Sequence, residues 1–167
     1  MRVALPSPQA VGNVTRKELN VLRDILVGCS VCVLNIVIHA WLTVAAIRVA
    51  RILAERNTIR PWRHLVAIMI ATVLMLMAAH ILEVFVWAAV FAFVHAAPDG
   101  ADLVYFAFVN YTTLGYGDIL PVPEWRLLGP MASMNGILLF GWSTAVIFEV
   151  LRRTISEHQL FAPESRR

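Results

Sequence analysis

Three long apolar stretches constrain the fold of this chain more than any other feature of its sequence. They cover roughly residues 25–47, 64–96 and 127–151. An α-helix rises about 1.5 Å per residue, so each stretch is long enough to cross the ~30 Å hydrocarbon core of a bilayer. Hydrophobic residues form 59% of the 167-residue chain, above the share in an ordinary soluble domain. The sequence therefore predicts an all-α membrane protein with three transmembrane helices, for which the lipid bilayer is the solvent.

Basic residues flank the apolar stretches, and their distribution predicts the orientation of the chain. The connection between the first two stretches carries Arg48, Arg51, Arg56, Arg60 and Arg63. The third stretch is followed by Arg152, Arg153, Arg166 and Arg167. By the positive-inside rule both segments are expected in the cytoplasm, with the N-terminus outside, although Arg2, Arg16, Lys17 and Arg23 favour the reverse. Topology thus explains the net charge of +3, and no nucleic-acid partner is expected.

A short apolar segment and an irregular loop separate the second and third stretches. Residues 101–112 are rich in aromatic side chains but too few to cross a bilayer as a helix. Residues 113–124 contain two glycines and two prolines, which disfavour a helix. Irregular backbone at membrane depth is tolerated only where protein surrounds it or where it lines a cavity. A re-entrant helix followed by a cavity-lining loop is therefore predicted between the two spans.

The loop begins with a motif suited to holding a dehydrated cation. Its residues are Thr112, Thr113, Leu114, Gly115, Tyr116, Gly117 and Asp118. Rings of backbone carbonyls can replace the water shell of a potassium ion, and glycines at alternate positions permit the unusual backbone angles that such rings need. The Thr113 hydroxyl can add an innermost ring, Tyr116 can wedge outward to hold the diameter, and Asp118 can attract cations at the external mouth.

This motif resembles the selectivity filter of potassium channels, whose usual form is Thr-Val-Gly-Tyr-Gly-Asp, and Leu114 in place of Val is the single departure. The resemblance extends from about Leu65 to Arg153. It implies a K⁺-selective, passive ion channel rather than an enzyme, assembled as a homotetramer in a cell membrane. It further implies no cofactor and no catalytic residue, with K⁺ as the permeant ion. The ion-holding positions implied are Thr113, Leu114, Gly115 and Tyr116.

The apolar pattern and the resemblance together divide the chain into segments, and the resemblance implies bracing residues. The expected segments are a flexible tail 1–20, an extra N-terminal helix 21–56, an outer helix 61–96, a pore helix 101–112, a filter 113–118, an inner helix 125–153 and a cytoplasmic tail 154–167. Tyr105 and Phe106 fall where the family often carries an aromatic pair that braces the filter. Val109 occupies a position that is acidic in some members, so a carboxylate brace to Asp118 from there is absent. The small size favours a bacterial inner membrane.

Small and polar residues interrupt the third span and are candidates for gating. Gly136 lies about where the resemblance implies a hinge glycine, and Asn135 can line the cavity or bond to a neighbouring helix. The alternative is that Gly136 and Gly141 simply allow close helix packing.

Ionisable residues inside the first two spans are candidates for a modulatory cluster. Glu83 is a carboxylate within a span, His80 lies three residues earlier on the same helical face, and His39 lies midway through the first span. The three can sense protons or bind a metal ion, or they can form a hydrogen-bonded cluster that supports the pore helix. Cys29 and Cys32 have metal-like or redox-like spacing, but inside an apolar helix they also suit packing.

Two other functions remain open at this point. A less selective or metal-modulated channel would use His39, His80 and Glu83. A membrane-bound metalloenzyme would need several histidine clusters near one membrane face, which the scattered histidines of this chain do not provide.

Overall fold

The computed structural model describes residues 8–54 and 61–158, and these residues form four α-helices without any strand. In chain order the helices are α1 (Pro8–Ala54), α2 (Pro61–Phe93), α3 (Leu103–Tyr111) and α4 (Leu128–His158), with a 3₁₀ turn at Pro123–Trp125. The membrane-spanning candidates are Lys17–Leu53, Trp62–Phe93 and Pro123–Ser156. The prediction of an all-α protein with three helices long and apolar enough to span a bilayer is confirmed.

The helices differ in extent from the predicted segments. Helix α1 begins at Pro8, so the expected flexible tail is wrong for residues 8–20. Proline is well tolerated in the first turn because its missing amide has no intrahelical partner there, and helix propagates readily from an adjacent stable span. Helix α4 continues past 153 to His158, because no glycine or proline follows before Pro163.

The boundaries around the loop also differ from the prediction. Helix α2 stops at Phe93 rather than 96, and His95 then adopts a positive φ of 53°. Helix α3 covers nine residues, and the inner helix begins at Leu128 because the 3₁₀ turn precedes it. These three shortenings follow from the proline- and glycine-bearing linkers before and after α3. The basic residues Arg2, Arg56, Arg60, Arg166 and Arg167 lie outside the described part of the chain.

Two apolar clusters hold the helices together at opposite ends of the long helices. One joins α1, α2, α3 and α4 near the loop and includes Trp87, Phe91, Phe106 and Leu128, all at most 1% exposed. The other lies where α1 and α4 end and α2 begins, and it comprises Ala50, Ile68, Leu76, Val146 and Val150. Helix α2 therefore runs opposite to α1 and α4, and the first half of α1 lies at the same end as the loop.

The extra N-terminal helix is fastened to the linker that precedes α4. The Arg23 guanidinium lies 3.6 Å from the centre of the Trp125 ring and donates to the Glu124 carbonyl at 2.5 Å. Asp24 is buried, pairs with Arg23 at 3.3 Å and accepts from the Leu127 amide at 3.4 Å. A planar guanidinium can stack and donate at once, so one side chain fixes both the turn and the helix.

Candidate functional site

Helix α3 is a short apolar helix whose start is set by one acidic residue. Asp102 occupies the N-cap, and its carboxylate accepts from the Tyr105 amide at 3.0 Å. Aspartate is a preferred N-cap because it satisfies an amide that has no intrahelical partner. Phe106, Ala107, Val109 and Tyr111 are buried, which packs α3 against α2 and α4. At about 1.5 Å per residue the helix is far too short to cross a bilayer.

The filter motif follows directly from the last turn of α3. The amides of Thr113 and Leu114 donate to the carbonyls of Asn110 and Val109, both at 3.0 Å, and the Gly115 amide reaches the Val109 carbonyl at 3.4 Å. The Thr112 hydroxyl also donates back to the Phe108 carbonyl at 2.7 Å. These bonds occupy the carbonyls of the last helical turn and fix where the loop leaves it.

The backbone of the filter motif adopts positive φ at every second residue. The φ angles are 62° at Thr113, 59° at Gly115 and 79° at Gly117, whereas the φ angles of Leu114 and Tyr116 are not positive. Glycine reaches this region without steric cost, but a β-branched threonine there is strained. The sequence indicated the need at the two glycines but not at Thr113. Strain of this kind persists where surrounding structure imposes it, and it concentrates at functional sites.

The filter motif lies on the surface of the single chain. Every residue from 112 to 118 is exposed, and Leu114 and Tyr116 are 52% and 68% exposed. The loop is anchored on both sides, because Tyr111 is fully buried before it and the Val122 amide donates to the Ala96 carbonyl at 2.9 Å after it. An apolar Leu114 and an aromatic Tyr116 left open in this way are surfaces suited to contact with another protein chain.

Asp118 at the end of the motif is braced by an aromatic residue of α3. Its Oδ2 accepts from the Tyr105 hydroxyl at 2.7 Å, and its Oδ1 accepts from the Ile119 amide at 3.1 Å. The hydrogen bond to the Asp118 carboxylate raises the pKa of the Tyr105 phenol above its usual range. Val109 is buried and apolar and offers no side-chain hydrogen bond to Asp118.

Helix α4 contacts the end of α3 through two glycines. A Cβ added at Gly136 would collide with the Tyr111 carbonyl, and one added at Gly129 would meet the Asn110 side chain at 2.6 Å. Helix α4 runs without a break through Gly136, whereas Gly141 has nothing within 4 Å of an added Cβ. Close packing at Gly136 is therefore visible. A hinge there stays a prediction.

Asn135 lies in a buried polar bridge between three helices rather than facing the opening beside the filter. Its Oδ1 accepts from the Asn35 side-chain amide at 2.9 Å and from the Trp87 indole at 3.0 Å. The Asn35 side-chain amide also donates to the main-chain carbonyl of Glu83 at 3.4 Å. The sequence named Asn135 but gave no signal that Asn35 of the extra helix is its partner.

A second buried polar group, the Glu83 cluster, consists of His39, His80, Glu83, Tyr111 and Ser143. The Glu83 carboxylate contacts His39 Nδ1 at 2.8 Å and His80 Nδ1 at 3.1 Å, and it accepts from the Tyr111 hydroxyl. Ser143 Oγ lies 2.9 Å from His80 Nε2 and 3.3 Å from His39 Nε2. The structure thus brings together the three residues named from the sequence.

Tyr111 and Ser143 complete this cluster and were not predicted to belong to it. Ser143 is one of the polar residues within the third span, and nothing in the sequence indicates that it faces the first two spans. Cys29 is exposed and Cys32 lies 3.9 Å from the Met131 carbonyl, so neither joins the cluster.

Comparison with known proteins finds a family model that matches the part of the chain containing these features. A family model described as an ion channel matches residues 79–153, from the second half of α2 through α3 and the filter motif to most of α4. No curated protein and no solved structure matches the chain. Residues 79–153 of the chain are therefore similar to an ion channel family, and this match supports the resemblance to potassium channels with two transmembrane helices around a pore loop.

Proposed function

We propose that this chain is one subunit of a homotetrameric, K⁺-selective channel whose filter is formed by residues 113–118. The observation that carries the proposal is the alternation of φ along the filter motif, positive at Thr113, Gly115 and Gly117. Alternating hands of backbone conformation are what successive carbonyls need if they are to line one path. Backbone oxygens can then replace the hydration shell of K⁺ without introducing full charges.

The proposed ion ligands are the oxygens of Thr113, Leu114, Gly115 and Tyr116. Leucine in place of valine at position 114 leaves the carbonyl unchanged, so the substitution does not alter the proposed chemistry. Asp118, held by Tyr105 at 2.7 Å, adds negative charge at the external mouth. Such a charge raises the local concentration of cations before they are dehydrated.

Fourfold assembly is proposed because one chain supplies only one wall. The exposed Leu114 and Tyr116 need a protein neighbour, and closed rotational symmetry is the usual solution for identical chains. Four copies of α3 would direct four helix C-termini, each with about half a negative charge, toward a common cavity. This arrangement would stabilise a cation in the middle of the membrane.

The proposed orientation follows from the antiparallel order of the spans. The first half of α1 contacts Glu124 and Trp125, so it lies at the same membrane side as the mouth of the filter. Arg48, Arg51 and Arg63 lie at the opposite end together with Arg152 and Arg153. By the positive-inside rule we propose that the C-terminus lies in the cytoplasm and the filter mouth outside.

Ion flux into proteoliposomes tests this function with a matched pair of glycine variants. Gly115→Ala and Gly100→Ala both place a side chain at positive φ, 59° and 80° respectively, but only Gly115 lies in the filter motif. We expect wild type and Gly100→Ala to pass K⁺ in preference to Na⁺, and Gly115→Ala to lose that preference or conduction altogether. Equal K⁺ and Na⁺ flux through the wild type would refute the proposal.

A further inference from the structure

The Glu83 cluster joins the four α-helices of the described residues at the point where α3 ends. His39 comes from α1, His80 and Glu83 from α2, Tyr111 from α3 and Ser143 from α4. The side chains of His39 and Glu83 are completely buried, whereas that of His80 is 15% exposed. An ionisable group at such a site needs a complete set of partners, because an unpaired buried charge is strongly unfavourable.

The hydrogen bonds of this cluster determine how many protons it holds. An ionised carboxylate only accepts, and the Tyr111 hydroxyl, 3.0 Å from His80 Nδ1, presents its oxygen to that nitrogen because its hydrogen is donated to Glu83. His39 Nδ1 and His80 Nδ1, which face the two Glu83 oxygens at 2.8 and 3.1 Å, must therefore both carry hydrogen. A neutral imidazole carries one ring hydrogen. If both rings were neutral, both Nε2 atoms would therefore be bare acceptors.

Ser143 cannot satisfy two bare acceptors. Its hydroxyl has one hydrogen, yet it faces both Nε2 atoms, at 2.9 and 3.3 Å. One further proton removes the conflict, because a protonated ring then donates from Nε2 to Ser143 Oγ while the Ser143 hydroxyl donates to the other ring.

We propose that the Glu83 cluster is a binding site for one proton, shared between His39 and His80 through Ser143, and that this proton keeps Tyr111 and the pore helix in the conducting position. With the proton bound, the cluster is electrically neutral and every ring nitrogen has a partner. Without it, the buried Glu83 charge is uncompensated and one ring nitrogen has no donor.

Protons reach the site through His80. A cavity of about 510 Å³ between α2, α3 and α4 is lined by His80, Tyr111 and Ser143 among mainly apolar side chains. The two imidazole rings of the cluster also contact aromatic rings of α4 that carry no charge, His39 against Trp142 and His80 against Phe140. The groups that titrate or carry charge in the cluster are thus His39 from α1, His80 and Glu83 from α2, and Tyr111 from α3, with none from α4.

The cluster is linked to the filter by covalent and packing contacts. Tyr111 is the last residue of α3 and is followed directly by Thr112 and the strained Thr113. Its hydroxyl donates to Glu83 while its carbonyl lies against Gly136 of α4. Release of the proton to water through His80 is therefore expected to loosen the end of α3, and, if the chain conducts as proposed above, to reduce conduction as pH rises.

The proton count is tested by NMR of labelled histidine ring nitrogens in the full-length protein, with His64, His95 and His158 replaced by glutamine to leave only the two cluster residues. At about neutral pH we expect the signals of one imidazolium equivalent per chain. Glu83→Gln should abolish it, because a neutral side chain no longer requires a compensating proton. The control Glu149→Gln, which removes a carboxylate that pairs with Arg152 and Arg153 on α4, should leave it unchanged.

Two results would overturn the proton site. One is a pair of neutral rings in the wild type at about neutral pH. The other is loss of both ring signals with stoichiometric Co²⁺, since the ligand atoms of His39, His80 and Glu83 lie within 4.8 Å of one another and would then form a metal site. Both readouts are independent of conduction, so they stand or fall separately from the proposed function.

The link to the pore is tested by K⁺ flux at different pH values in the same proteoliposomes. We expect wild-type flux to fall as pH rises, and Glu83→Gln to remove that dependence while Glu149→Gln retains it. A wild-type channel that conducts K⁺ but keeps the same flux after the imidazolium signal has disappeared would refute the regulatory role.

Discussion

The Tyr105 hydroxyl donates to Asp118 Oδ2 at 2.7 Å, which ties the first turn of α3 to the last residue of the filter motif. Thirteen residues separate the two in sequence, and the strained filter backbone lies between them. A hydrogen bond to a charged acceptor is stronger than one between neutral groups. This contact therefore holds the C-terminal end of the exposed loop against α3 of the same chain.

Removal of this hydroxyl is expected to weaken the filter without changing which ion it selects. Tyr105→Phe keeps the ring but leaves Asp118 with the Ile119 amide as its remaining partner among the described residues. We expect K⁺ currents that decay faster during a maintained recording, with an unchanged preference over Na⁺. Phe108→Leu, an exposed change on the same helix, is the control, and unaltered decay in Tyr105→Phe would show that the bond does not hold the filter.

Alkaline pH should reproduce the effect of that substitution. The pKa of Tyr105 is raised by its bond to Asp118, so the bond is fully present below the ordinary tyrosine pKa of about 10 and is lost as pH rises through the higher folded value. We expect the wild-type current to decay faster when the solution on the external side is made alkaline. In Tyr105→Phe this alkaline component should be missing, and its persistence would point to another titrating group.

Two glycines of α4, Gly136 and Gly141, should respond oppositely to alanine. Gly136→Ala places a methyl group against the Tyr111 carbonyl and is expected to destabilise the fold by about 1–3 kcal/mol through overpacking. Gly141→Ala meets nothing within 4 Å and should be neutral or stabilise the helix by up to about 1 kcal/mol. Thermal unfolding in detergent measures both, and equal effects would contradict the packing described for Gly136.

The bridge at Asn135 is expected to stabilise the attachment of the extra helix. Asn135→Ala leaves the Trp87 indole and the Asn35 amide without their shared acceptor in a buried place, at a cost of about 1–3 kcal/mol. Thr144→Ala, which removes a hydroxyl bonded only to its own helix at Phe140, is the control and should cost little. Denaturant unfolding of the two variants measures the difference. Equal stabilities would mean that the bridge adds nothing.

The sequence was sufficient for the features that depend on composition or local backbone requirements. Because a chain in a lipid bilayer must cross it with long apolar helices, the three apolar stretches predicted α1, α2 and α4. The positions of Gly115 and Gly117 indicated where the backbone needs a positive φ. Thr113 was missed because its positive φ is imposed by its neighbours and not by its own preference. Tyr111 and Ser143 in the Glu83 cluster, and the partners of Asn135 and Trp125, were missed because they depend on how each helix is rotated against the others.

The reversal potential of wild-type channels in a planar bilayer, with KCl on one side and NaCl on the other, tests the central claim most directly. A filter made of backbone oxygens from Thr113 to Tyr116 predicts a reversal potential far from zero, displaced in the direction set by K⁺ permeation. A reversal potential near zero, with stable currents in both salts, would show that the pore does not select K⁺ and would contradict the account.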